Sequence, residues 1–205
     1  MKIFTLKGVV LVAVMVAAGL ALTGCMGMGS GGEVPTETPI VLTDPAALPA
    51  EIAKVTGDDK AADPYGLKGL DQYYIPKTFP DGAKLKDIRV SPSVVRVSYT
   101  FGATKENSYD NQMEIAWYRK LEGAQYMTNV GTSGSQYKEL ASPDGVRYLT
   151  TTAKAQSPTD SASSFDYCRI VHWSQDGKAF LAAVPVGFTD EDVLKYCVAQ
   201  QVQVK

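Results

Sequence analysis

Apolar and polar side chains alternate most sharply over residues 94–101. Val95, Val97, Tyr99 and Phe101 fall on one side, and Arg96, Ser98 and Thr100 on the other. A period of two marks a strand in a sheet with one buried face. The pattern returns over residues 111–120, with Met113, Ile115 and Trp117 inward and Glu114, Ala116 and Tyr118 outward. Shorter runs predict strands over residues 84–90, 137–140, 146–153, 165–173 and 178–186, with a short extended piece at 40–42. Pro80-Asp81-Gly82 and Pro143-Asp144-Gly145 are turn signals. Asp176-Gly177 is a stronger one, because both residues of a tight hairpin turn take positive φ.

Helical spacing frames this β-rich centre. Asp44 followed by Pro45 is a helix start, and a short helix over residues 46–55 ends near Gly57, with Pro49 inside it. Thr189 and Asp192 form a capping box with Asp in place of Glu, in an acidic first turn. Val193, Leu194, Cys197, Val198 and Gln201 then share one face, which predicts a closing helix over residues 189–200. Residues 58–72, 123–136 and 154–164 read as loops. The fold class is α+β: an antiparallel sheet of about six to seven strands, with a C-terminal helix packed on one face and a short N-terminal helix. No internal repeat is present.

The first 25 residues follow a different logic. Lys2 and Lys7 precede an apolar run over residues 8–22, the layout of an export signal and short for a spanning helix. Leu22-Thr23-Gly24-Cys25 resembles the lipobox of bacterial lipoproteins. That resemblance implies a diacylglyceryl group on the Cys25 thiol, with palmitate-type chains, and cleavage before Cys25. Two acyl chains hold stably where one holds marginally, at roughly 0.8 kcal/mol per buried methylene. The glycine-rich run after Cys25 suits a flexible tether. The chain thus divides into a signal peptide (1–24), a tether (25–43), a short helix with a loop (44–72) and a sheet-plus-helix domain (73–205).

Composition narrows the chemistry. The 205 residues carry a formal charge of −2, which falls to −4 when Lys2 and Lys7 leave with the signal. Without a basic excess, nucleic acid is excluded as a partner class. An exported chain makes a disulfide between Cys168 and Cys197 the expectation, contributing roughly 3 to 4 kcal/mol, with two buried free thiols as the alternative. His172 is the one histidine and shares a strand face with Cys168. Four strand positions separate their Cα atoms by roughly 13 Å, too far for a nucleophile and its base. His172 is therefore expected at the surface or an interface.

One histidine and two thiols do not make a zinc site, and Asp58, Asp59 and Asp63 lack the calcium-loop pattern. Residues 131–135 lack the Gly-Lys ending of a phosphate loop. No cofactor, metal or catalytic residue is implied. Aromatics such as Tyr148, Tyr167 and Trp173 are expected in the core. Tyr118, opposite in sense to Trp117, is the candidate for an exposed binding surface.

The order of the segments "YYIPKTFPDGAKLKDIRV", "VVRVSYTF", "MEIAWYRK", "VHWSQDGKAF" and "TDEDVLKYCVAQ" resembles an uncharacterised domain of Gram-positive bacterial lipoproteins. The same domain ends some extracellular tails of anti-sigma-factor-like membrane proteins. Pro80, Gly82, Trp173, Gly177, Phe180 and residues 189–200 carry the resemblance, which covers residues 73–203. It implies a sheet-plus-helix fold distantly like half of the lipoprotein-carrier fold, and no catalytic residues. The cysteine pair and the insertion at 154–164 depart from the family pattern. The expected function is a lipid-anchored extracytoplasmic binding or sensing module at the cell membrane, without catalysis, meeting an envelope protein, a peptide or a lipid. The alternative is a structural or accessory subunit docking onto an envelope membrane protein. An apolar cleft would favour the first and a flat apolar patch the second.

Overall fold

The computed structural model describes residues 37–57, 60–102, 109–154 and 167–204. The export signal, Cys25 and most of the tether lie outside the described residues, as does the segment 155–166.

The first five strands are β1 (Ile40–Leu42), β2 (Gln72–Pro76), β3 (Lys84–Val90), β4 (Val94–Thr100) and β5 (Gln112–Glu122). Strands β6 (Lys138–Ala141), β7 (Arg147–Lys154), β8 (Tyr167–Gln175), β9 (Lys178–Pro185) and β10 (Ala199–Gln203) follow them. Eight of them form one sheet in the order β1-β3-β4-β5-β9-β8-β7-β6, antiparallel throughout. The remaining two, β10 and β2, form an antiparallel ribbon. Three α-helices complete the described elements: α1 (Leu48–Ala53, after a 3-10 turn at Pro45–Ala47), α2 (Gly123–Gly131) and α3 (Asp190–Tyr196).

Local chemistry explains most boundaries. The Asp44 side chain accepts from the Ala46 amide at 2.9 Å and opens the first turn. Asp176 (φ 51°) and Gly177 (φ 72°) make the tight β8–β9 turn. At α3, Thr189 and Asp192 exchange the two bonds of a capping box.

Three expectations are corrected. The sheet has eight strands rather than six or seven. Residues 123–131 are helix α2, not loop: Tyr126, Met127 and Val130 form a buried stripe at helical spacing. The chain also does not close on a helix. α3 stops at Tyr196, and β10 pairs with β2 from Ala199 opposite Pro76 to Gln203 opposite Gln72. Alternation explains the switch, because Val202 and Val204 pack on the core while Gln201 and Gln203 face solvent.

Both faces of the sheet are covered. On the first, Ile88, Val97, Ile115, Val171, Trp173 and Phe180 pack with Leu48, Leu67, Leu70, Tyr74 and Val193 in one cluster. The Trp173 and Phe180 rings stack at 5.2 Å, and Tyr74 meets Phe180 edge-on at 5.1 Å. Residues 44–72 thus share the core of the domain rather than preceding it. On the second face α2 seats Tyr126, Met127 and Val130 against Leu149 and Ala179. Gly123 permits that seating, since a Cβ there would lie 2.0 Å from Ser174 Oγ and 2.8 Å from the Lys178 carbonyl oxygen.

The start of the described chain is fastened to the sheet edge. The Glu37 carboxylate accepts from Ser91 Oγ (2.9 Å), the Ser93 amide (3.0 Å) and Ser93 Oγ (2.7 Å). Burial opposes that charge, but the bonds from Ser93 and Ser91 outweigh it and hold the carboxyl below its ordinary pKa.

Candidate functional site

A polar groove of about 390 Å³ opens over the β6–β7–β8 end of the sheet. Register builds it: Lys138 lies opposite Thr150, and Thr152 lies opposite Arg169. Alternate residues share a face, so Thr150, Thr152 and Arg169 emerge from the same face as Trp173. Thr151 and Gln136 complete the strand side of the groove. The segment after β9 supplies Val186, the one apolar residue among the described residues of the lining, and Asp190 at the first position of α3.

Arg169 organises this corner. Its Nε donates to Thr150 Oγ1 (2.8 Å), Nη1 to the Phe188 carbonyl (2.8 Å) and Nη2 to Asp190 Oδ1 (2.5 Å). Lys138 Nζ donates to the other oxygen of the same carboxylate. Those bonds, from Lys138 and then Arg169, hold the Asp190 carboxyl below its ordinary pKa. One carboxylate therefore serves two cations, and among the described lining residues one positive charge stands in excess.

The second face carries a polar layer of its own. Arg96 Nη1 meets Glu114 Oε1 at 3.0 Å, and Ser98 Oγ donates to Glu114 Oε2 at 3.2 Å. Burial works against the Arg96 charge, yet Glu114 outweighs it and raises the guanidinium pKa. Beside this pair Asp87 and Arg89 bond at 3.0 Å, while Asp87 Oδ1 and Arg89 Nε are buried without a hydrogen-bond partner. Two carboxylates matched by two guanidiniums form an internal ion-pair layer. Among the described residues no three His, Cys, Asp or Glu side chains converge as a metal site would require.

The cysteine pair departs from expectation. Cys168 and Cys197 are both buried free thiols. Cys168 packs with Ile170 and Leu181 on the second face, whereas Cys197 belongs to the first-face core with Val171 and Trp173. The sheet stands between them, so no bridge joins them. Burial pushes the Cys168 thiol up to about 11 and the Cys197 thiol up to about 12. Neither is a thiolate at neutral pH, and the thiolate is the reactive form.

His172 is not at the surface. It is buried under α2, with Nδ1 2.5 Å from the Tyr126 hydroxyl and the Tyr137 ring edge-on at 5.5 Å. Burial lowers its pKa to about 4, so the imidazole is neutral. It does share a face with Cys168, as the strand period requires.

Tyr118 does face away from the main core. Its ring lies 5.3 Å from that of Tyr126, so α2 occupies the place where an open binding surface was expected. Tyr148 and Trp173 are core, but Tyr167 is 59% exposed. Sequence reasoning passed over Lys138, Arg169 and Asp190. The available signal was Thr150-Thr151-Thr152, hydroxyls on both faces of one strand, next to a strand with an arginine in its apolar run.

No protein-family model, no curated protein and no solved structure matches this chain. Among the described residues no helix is long and apolar enough to cross a membrane.

Proposed function

We propose that this chain is a lipid-anchored extracytoplasmic binding or sensing module, of the kind represented by the uncharacterised lipoprotein domain it resembles, and that it works without catalysis. The single observation that carries the reading is the groove over β6–β8. Its side chains stand on paired strands and are pre-set by the Arg169–Thr150–Asp190 bonds, which lowers the ordering cost of binding. The sequence readings that led here favoured a lipid or peptide in an apolar cleft. The polar lining of the groove favours a hydrogen-bonding ligand instead.

Anchoring gives the groove its setting. Eleven residues lie between Cys25 and Glu37, and a chain of that length reaches at most about 40 Å. The body would stay within a few nanometres of the bilayer, which raises its effective concentration toward membrane-bound ligands.

Native mass spectrometry of protein purified from its own membrane tests the proposal. The expected result is a chain beginning at a diacylated Cys25 that retains a small polar molecule, which is lost in Lys138→Glu. Recovery from the cytosol with residues 1–24 still attached would overturn it.

A further inference from the structure

We propose that the groove over β6–β8 is a saccharide site, and that its ligand is a sugar bearing a carboxylate or phosphate group. This rests on the binding reading above and deepens it.

The lining dictates a ligand rich in hydroxyl groups. Threonine hydroxyls and a glutamine amide each both donate and accept, so they are best matched by groups that do the same. Thr150, Thr152 and Gln136 put three such side chains in the groove, with Thr150 buried and already accepting from Arg169. An apolar ligand would strip water from Thr152 and Gln136 without replacing its bonds, at a cost of about 1–3 kcal/mol for each group left unmet. The volume, about 390 Å³, lies within the range of about 300–1,000 Å³ common for small-ligand sites.

Charge adds the second requirement. Lys138 and Arg169 share the single carboxylate of Asp190, and the Lys138 side chain is 63% exposed. A second anion arriving from solvent would complete the neutralisation through charge-assisted bonds, which are about twice as strong as neutral ones. Inorganic anions meet only this part of the site.

An aromatic ring supplies the third. Tyr167 lies two positions from Arg169 on β8, so it projects from the same face about 7 Å further along the strand. Its ring is exposed beyond the residues that line the groove, and an exposed tyrosine offers rigid amphipathic contact area at low entropic cost. The flat C–H face of a pyranose fits against such a ring while its hydroxyls meet the threonines.

The test uses the full chain in detergent micelles with labelled threonine methyl groups. Four probes are titrated: a uronic-acid disaccharide, a hexose phosphate, the matching neutral disaccharide and inorganic phosphate. The expected result is that an acidic saccharide shifts the Thr150 and Thr152 methyls more than that of Thr151 on the other face, and binds at least tenfold tighter than the neutral one. Whether the uronate or the phosphate arm is tighter identifies the source of the anion. Lys138→Gln weakens that binding about tenfold, and Tyr167→Ala weakens it severalfold, with the remaining methyl spectrum unchanged in both. Equal binding of the neutral sugar, equal binding of inorganic phosphate, or no shift at Thr150 and Thr152 each overturns the saccharide assignment. If a molecule of another class is retained in the native protein and lost in Lys138→Glu, the saccharide assignment falls while the binding reading stands. If nothing is retained and no probe shifts these methyls, both fall.

Discussion

Removing the Glu114 carboxylate should expose how much of the fold depends on the ion-pair layer beneath its second face. Arg96 and Glu114 sit on adjacent strands with side chains only 12% and 7% exposed, 3.0 Å apart. At an effective dielectric constant near 20 their attraction is about 5 kcal/mol. Desolvation opposes it by several kcal/mol per ion, so the intact pair contributes little net stability. Removing one partner is different, because the other charge stays buried and unmatched. Glu114→Ala should therefore cost about 3–5 kcal/mol. It also strips Ser98 Oγ of its acceptor. Replacing both, as Arg96→Met with Glu114→Leu, should recover most of that loss, since hydrophobic pairs of similar volume often match a buried ion pair. Urea unfolding of the wild type, the two single variants and the double variant measures the cycle. Because the double variant should lose less than either single one, the coupling expected is about 5 kcal/mol or more. A Glu114→Ala loss below about 1 kcal/mol, or a double variant weaker than either single one, would refute the buried-pair account.

Both later thiols should alkylate only after unfolding, and reductant should leave the unfolding midpoint unchanged; a mass two protons lighter after air oxidation would contradict their separation by the sheet. Because folding depresses the His172 pKa from 6.5 to about 4, the unfolded chain takes up this proton first. Its contribution is complete above about pH 6.5 and is lost as pH falls toward 4, by up to about 3 kcal/mol. Unfolding curves across that window should show the slope, and His172→Gln should flatten it. Gly123→Ala should cost about 1–3 kcal/mol in thermal unfolding, because Ser174 and the Lys178 carbonyl must move aside. Glu37→Ala should speed amide exchange in β1 and at Ser93 by about tenfold while the β8–β9 core stays protected.

Local signals in the sequence were read well. Asp176-Gly177, the Thr189 box and the Asp44 cap each act within a few residues, and alternation located most of the sheet. The errors came from what lies opposite a segment. α2 begins with a glycine required by close approach to Ser174, and that glycine looked like a loop residue. β10 follows so closely on a capped helix that its first residues, Ala199 to Gln201, were read as the end of that helix. Its partner, β2, is more than a hundred residues away in sequence. Arg96, Ser98 and Glu114 were read as solvated because they alternate with valine, isoleucine and methionine. Their burial depends on cover for the second face, which period two does not report. The cysteines each looked apolar and correctly so, but the face each one joined depended on register. The groove was the hardest feature to read, because Lys138, Arg169 and Asp190 meet only after β6, β8 and α3 have assembled.

The position of β9 carries a consequence for how the protein comes to exist. This strand lies between β5 and β8 in the middle of the large sheet, yet it occupies residues 178–185 of 205. Until it emerges, the early strands β3, β4 and β5 have no neighbour joining them to β8, β7 and β6, and β2 waits longer still for β10. Non-local pairing of this kind delays folding until nearly the whole chain is available. A newborn molecule therefore becomes compact only once residues 178–203 have left the ribosome.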